Sequence, residues 1–306
     1  MRKQFAKTLF EVGTEDKKLV VLIGDISHFL LRNFQKEFPD RFYNMGIAEQ
    51  SMVGVAAGLS LGGYIPVVHS IAPFVVERCY EQIKDDLCYQ DLGVSIISVG
   101  SAFDYASLGC THHCYEDIGC LRLLPNMQII YPGSTEEFDT LFKQAYSNGH
   151  PKYFRLPNTT HGLITHPKFG EIERLIEGTD ISIVVTGPQV ANAVEAANEL
   201  KSNGVSCEVL YITTLKPISK RSQLEIVSSV SKTRRLLTIE EHSINGGLAD
   251  IIGSICKNVF FVHERMGISD VFLENYGSYE EHCKKLGFTK KGIIKKINEL
   301  KSRNNN

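Results

Sequence analysis

The stretch NMGIAEQ, residues 44–50, sets one carboxylate, Glu49, at the head of the run SMVGVAAGLSLGG. That run is almost wholly small and apolar, so a helix made from it is built for burial. A buried carboxylate is costly unless a charged or hydrogen-bonding partner meets it. Read in isolation, Glu49 does no more than offset the dipole at a helix N-terminus. In a dry pocket it can hold or share a proton, because burial raises a carboxyl pKa. Two histidines, His112 and His113, stand in GCTHH on a loop after an apolar strand. A loop histidine beside a developing oxyanion donates a hydrogen bond or moves a proton; the plainer alternative is a surface histidine. Arg155, in YFRLP, stands at a strand end, where α/β sheets present ligand groups; a structural salt bridge is the alternative. Cys110, His112, Cys114 and Cys120 are neighbours in sequence but match none of the paired zinc spacings, which argues against a metal. His69 ends the strand YIPVVHS and is read as satisfying the sheet.

These groups need a scaffold, and the pattern of the chain supplies one. Short apolar runs such as LVVLIGD, YIPVVHS, VSIISVG, MQIIYP and KYFRLP alternate with helical periods. The longest of those is a helix expected over residues 73–89. Alternation of this kind predicts an α/β fold with mostly parallel sheets flanked by helices. The stretch HGLITHPKFGEIERLIEG (161–178) is polar and weakly periodic, and reads as a linker. The alternation restarts at ISIVVTG and continues through VSCEVLYI, RLLTIEE and VFFVHE. The expected organisation is therefore a domain over 1–160, the linker over 161–178, and a second α/β domain over 179–306. The tail KSRNNN is expected to fray.

Composition excludes several classes. A net charge of -2 argues against nucleic acid or an anionic membrane as partner. No stretch is apolar enough to span a bilayer. MRKQFAKTLFEVGTED is amphipathic and reads as no secretory signal. Eight cysteines at no framework spacing predict reduced thiols in a cytoplasm.

Several stretches together resemble the C-terminal half of the transketolase-like thiamine diphosphate enzymes. They are RFYNMGIAEQSMVGVAAGLSLGG, PFVVERCYEQI, GCTHHCYEDI followed by LRLLPNM, YPGSTEE, YFRLP, VTGPQVANAVEAANEL, LYITTLKPI and IEEHSINGGLADII. They run in the family's order over nearly the whole chain. The resemblance implies a pyrimidine-binding domain followed by the family's C-terminal domain. It implies that Glu49 hydrogen-bonds N1′ of the cofactor's aminopyrimidine, with Gly46 and Ile47 beside it and Phe74 packed on the ring. Protonation at N1′ makes the exocyclic amine acidic, so that its imino form can take the proton from the thiazolium C2. The family's active-site histidine falls on His112, next to Thr111. His113 replaces the glutamine usual there, and its role toward substrate is open. The family sometimes uses an arginine at the position of Arg155 for a substrate phosphate, which suits a guanidinium fork. Ile71 and Glu77 stand where transketolase has further aromatics, and Leu108 stands where it has an aspartate. Glu240, Glu241 and His242 fall in the C-terminal domain, away from the chemistry, and are assigned to structure.

The GDG motif and following asparagine that hold Mg²⁺ and the diphosphate are missing from the sequence; Gly24 and Asp25 are followed by Ile26 and Ser27. The expectation is a C-terminal subunit of a split transketolase that moves a two-carbon ketol unit between sugars or sugar phosphates. Thiamine diphosphate would be shared with an N-terminal partner chain, which would carry the GDG motif and bind Mg²⁺. The small residues Gly54, Ala56, Ala57 and Gly58 allow close helix approach, and the resemblance implies that this helix packs near a subunit interface. A homodimer and, with the partner, a heterotetramer are expected. The alternatives are a deoxyxylulose phosphate synthase-like or 2-oxo acid dehydrogenase-type subunit, or a non-catalytic homologue.

Overall fold

A computed structural model describes residues 1–303. The strand Leu19–Ile23 (LVVLI) is buried at every position, as a central strand covered on both faces must be. Val20 and Leu22 pack with Met52, Val53 and Val68 on one side. Val21 and Ile23 pack with Phe5, Leu9 and Val67 on the other. Around this strand a seven-stranded sheet runs in the spatial order Thr214–Lys216, Gln128–Ile130, Lys152–Leu156, Ser95–Val99, Ile65–Ile71, Leu19–Ile23, Phe42–Asn44. All its pairings are parallel except that of Thr214–Lys216 with Gln128–Ile130. A second sheet of five strands runs Val262–Ile268, Arg235–Ser243, Ile181–Val185, Cys207–Ile212, Ile172–Ile176, and only its last pairing is antiparallel. Both sheets carry helices, so the α/β expectation holds.

Two features cross the expected boundaries. The strand Ile172–Ile176 lies inside the expected linker and forms the edge of the second sheet. Its residues are half-buried or exposed, which is why its sequence carries no clean strand signal. The strand Thr214–Lys216 belongs in sequence to the second domain but closes the edge of the first sheet. The two domains therefore share a hydrogen-bonded edge, and Tyr131 N–H donates to the carbonyl of Thr213 (2.7 Å).

The helix expected over 73–89 is broken. It consists of Ala72–Val75, Tyr80–Gln82 and a π-helical stretch Ile83–Cys88, with residues 76–79 as irregular backbone. Breaks and π-turns of this kind recur at functional sites. Elsewhere local chemistry sets the boundaries. Ser134 and Glu137 form a reciprocal capping box that starts Thr135–Ala145. Ser278 and Glu281 do the same for Tyr279–Leu286, which Gly287 ends at φ +83°. The last helix continues through Ser302, so the expected fraying is not found at residues 301 and 302; the end of that tail, 304–306, lies outside the described residues.

Candidate active site

The parallel strands bring their C-terminal ends to one edge of the first sheet, where open α/β sheets bind ligands. Glu49 begins the helix Glu49–Leu61 at that edge and is 2% exposed. Both its oxygens are met. Ser70, at the end of Ile65–Ile71, donates from Oγ to Oε1 at 2.9 Å. Arg78, from the break in the following helix, donates from Nη1 to Oε2 at 2.8 Å. Gly24 packs against the same carboxylate: a Cβ there would sit 3.0 Å from Ser70 Oγ and 3.2 Å from Glu49 Oε1. Gly46, just before, holds φ +69° with open space around it, so conformation rather than room calls for glycine.

Phe74 lies beside the carboxylate, half-buried. The Arg78 guanidinium carbon sits 4.4 Å from the centroid of its ring. The other side of the group is His112, whose ring is edge-on to Phe74 at 5.2 Å and to Tyr105 at 6.0 Å. His112 is half-buried, and Thr111 Oγ1 stands 3.0 Å from its Nδ1. The structure thus brings together Glu49, Phe74, Thr111 and His112. Ile47 is on the turn before the Glu49 helix, 80% exposed. Leu108 is exposed on the histidine loop. Glu77 is exposed as a residue, but its carboxyl is turned onto Cys114 Sγ at 3.5 Å. Burial of that carboxyl, and then the charge of Glu116, push its pKa up to about 7.

Two expected substrate residues are elsewhere. Arg155 is fully buried. Its Nε donates to Asp117 Oδ2 at 2.8 Å, and its Nη2 to the carbonyls of Cys114 (3.1 Å) and Glu241 (3.0 Å). Its guanidinium also lies 4.6 Å over the Tyr131 ring. The expectation of a phosphate contact is corrected: Arg155 is the salt bridge that was its alternative, and it ties the first domain to strand Arg235–Ser243 of the second. His113 is also corrected. It is 3% exposed and turns toward His282 of the second domain, ring to ring at 5.7 Å. Burial, with the nearby His282 and His112 charges, brings its pKa down to about 4, so it is neutral.

The remaining titratable groups are held internally. His69 Nδ1 lies 2.8 Å from the Ile97 carbonyl, which can only accept, so Nε2 receives the Ser27 hydroxyl at 2.8 Å. Burial brings its pKa down to about 4. Glu240 accepts from the backbone N–H groups of Leu248 and Ala249. Glu241 accepts from Gln189 Nε2 and the Tyr279 hydroxyl. His242 Nε2 accepts from Gly119 N–H at 3.1 Å. No group of three or more His, Cys, Asp or Glu side chains able to hold a metal occurs among the described residues. No helix among them is long and apolar enough to cross a membrane.

Sequence reasoning missed Ser70, Arg78 and Tyr105. Arg78 had one usable signal: it follows Phe74 by four positions, which on a helix would put the two on one face. Ser70 and Tyr105 carry no such mark, since their places depend on strand register and loop path.

Residues 1–161 match the family described as transketolase, pyrimidine binding domain, and residues 170–293 match transketolase, C-terminal domain. A protein of Methanocaldococcus jannaschii described as a putative transketolase C-terminal section is 34% identical, covering 98% of this chain and 95% of its own length. One of the subunits of an apulose-4-phosphate transketolase from Phocaeicola vulgatus is 34% identical, over 96% of this chain and 95% of its own. A solved structure described as a split gene transketolase, inactive beta4 tetramer, is 33% identical and superposes with a TM-score of 0.86, covering 98% of this chain and 97% of that one. With both family domains in order and these relatives matched nearly end to end, the chain belongs to the transketolase family, as the C-terminal section of a split transketolase.

Proposed function

We propose that this chain works with a partner chain to transfer a two-carbon ketol unit between sugars or sugar phosphates, using thiamine diphosphate held between the two chains. The observation that carries the proposal is the buried, doubly bonded carboxylate of Glu49 beside the Phe74 face and within reach of the His112 loop. That donor set fits an aminopyrimidine: an acceptor for a ring N–H, an aromatic face for a flat ring, and a backbone kept close by Gly24. The cofactor, once bound, supplies the carbon nucleophile and electron sink of the reaction.

Each residue of the chain then has a task. Glu49 holds the proton at N1′, and its confinement by Ser70 fixes the carboxylate plane. Phe74 supports the ring. His112, oriented by Thr111 Oγ1, donates a hydrogen bond or a proton at the reacting carbonyl oxygen. Leu108, where transketolase has an aspartate, removes one contact to a sugar hydroxyl, so an ordinary ketose phosphate is handled less well than by transketolase itself. Asp25 makes a reciprocal pair with Asn44 (3.0 and 3.1 Å) rather than heading a GDG motif. Mg²⁺ and the diphosphate are therefore assigned to the partner.

Self-association is assigned to the outer face of Glu49–Leu61, where Ser51, Val55 and Gly58 are exposed on a helix whose inner face is buried. A dimer of this chain and a heterotetramer with the partner are expected; light scattering that finds only monomers would remove this part. The central test is co-purification with a chain carrying GDG, followed by a donor and acceptor screen with thiamine diphosphate and Mg²⁺. Ketol transfer by the pair and none by either chain alone is expected. A pair that binds the cofactor but transfers no ketol unit from any donor would overturn the reading.

A further inference from the structure

We infer that Arg78 is a built-in stand-in for the cofactor's aminopyrimidine: in the free subunit its guanidinium occupies both contacts that the ring would use, and it must swing out before the ring can bind. This inference rests on the proposed function above. Its basis is a coincidence of two contacts on one flat group. Nη1 donates to Glu49 Oε2 at 2.8 Å, the kind of bond expected from ring N1′. The same guanidinium lies 4.4 Å from the centroid of Phe74, the face expected to carry the ring. A planar donor on that face and on that oxygen leaves no place for a second one. The other oxygen, Oε1, carries the Ser70 hydroxyl at 2.9 Å. Each oxygen has a second lone pair, so the competition is set by the shared Phe74 face and the direction of the Oε2 bond rather than by a filled carboxylate.

The two partners of the pair differ in freedom. The Glu49 side chain is 2% exposed and the Arg78 side chain 40%. The cation can therefore leave into water while the carboxylate stays fixed. Arg78 also sits on the turn between Ala72–Val75 and Tyr80–Gln82, where its N–H donates to the Pro73 carbonyl at 3.2 Å, five residues back, rather than in a regular α-helical ladder. The exchange makes physical sense for a half-site. A free subunit without its partner would otherwise hold an uncompensated buried carboxylate, which is strongly unfavourable. Arg78 removes that cost, and in doing so it competes with the cofactor. The apparent affinity is then reduced by the fraction of subunits in which the arginine is in place.

This dual role gives opposite signs in two measurements. A residue that only supports the fold lowers stability and cofactor affinity together when removed. A residue that holds the bound cofactor lowers its affinity. A stand-in lowers the stability of the free subunit and tightens cofactor binding. The experiment is Arg78→Met, with thermal unfolding of the free subunit and calorimetric titration of thiamine diphosphate, at saturating Mg²⁺, into the complex with the partner chain. The free subunit is expected to lose several degrees in Tm. The Kd for thiamine diphosphate is expected to fall by about threefold to thirtyfold, the equivalent of a half-exposed ion pair plus a cation–π contact. Arg78→Lys should lie between, since an ammonium reaches the carboxylate but does not lie flat on the ring; it also serves if the Met variant does not fold. An unchanged or weaker Kd in both variants, with wild type binding normally, would overturn the inference alone. Failure of the wild-type complex to bind thiamine diphosphate would instead overturn the functional reading beneath it.

Discussion

The first domain contains two arginine–carboxylate pairs of the same length and opposite character. Arg78–Glu49 and Arg155–Asp117 both close at 2.8 Å. In the first pair the cation is 40% exposed; in the second both side chains are fully buried. Arg78 has one carboxylate and one aromatic face, and water on its outer side. Arg155 has Asp117, two backbone carbonyls and Tyr131 around it, one of those carbonyls from the other domain. Equal distances thus conceal different functions. A pair with a wet side can exchange its cation for a ligand, whereas a pair sealed on every side can only hold structure. The sealed arginine is also the one whose sequence position suggested a ligand role.

The largest effect that would test this contrast is chemical. Gln at position 49 keeps the shape and a hydrogen bond but cannot hold the N1′ proton. In the Glu49→Gln two-chain complex, deuterium exchange at the cofactor's C2 is expected to slow by ~10²–10⁴-fold, the usual worth of a general acid–base step. Stability should change by only about 1 kcal/mol or less, the scale of a helix-dipole contact. Wild-type exchange with cofactor demonstrably bound would remove Glu49 from the chemistry.

The sealed pair should behave in reverse. Arg155→Leu leaves Asp117 buried without its cation and is expected to cost ~3–5 kcal/mol, read from urea unfolding of the subunit. Arg155→Leu combined with Asp117→Leu should recover part of that loss, because no bare charge remains. A loss below about 1 kcal/mol for the single variant would mean that Arg155 is not the staple described.

The interface around Arg155 carries a pH signature of its own. Burial, and then the Glu241 charge, push the Asp104 pKa up to about 7 from an ordinary 3.8. The folded state therefore keeps a proton that the unfolded chain has released, and stability falls as pH rises from about 4 to about 7. His242, which burial holds at about 4, has the opposite sign: it is neutral when folded, so stability falls as pH drops from about 6.5 to about 4. Asp104→Asn should remove the first slope and leave the second. Tm of this variant relative to wild type should rise between pH 5 and pH 8; a constant difference across that range would contradict the assignment.

The smallest effect is expected where both partners are wet. Lys143 pairs with Glu11 at 2.8 Å and Asp139 at 2.9 Å, with side-chain exposures of 42%, 40% and 26%. Lys143→Ala should cost under ~1 kcal/mol by urea unfolding, and less at high salt. A larger loss would show that distance rather than exposure ranks the three pairs.

What the sequence determined by itself was the local part. Short apolar runs such as LVVLI, bounded by turn residues, read as buried strands, and small-residue or capped periods such as STEE read as helices, so most of the α/β order was legible; the half-exposed strand Ile172–Ile176 and the break at 76–79 were not. The GIAEQ and GCTHH stretches pointed to Glu49, Thr111 and His112 through their resemblance to the family, since taken alone Glu49 and His112 each had a plain structural reading. The tertiary structure alone decided which partners those side chains meet. The strand Thr214–Lys216 crosses to the first sheet because the edge left open by Gln128–Ile130 needs hydrogen bonds, which no local pattern announces. Arg155 and His113 look available in sequence and are buried because the second domain covers them. Arg78 looked like one more residue of a helix, and only the break at 76–79 turns it onto Glu49. Burial and pairing depend on contacts between residues far apart in the chain, and those exist only after folding.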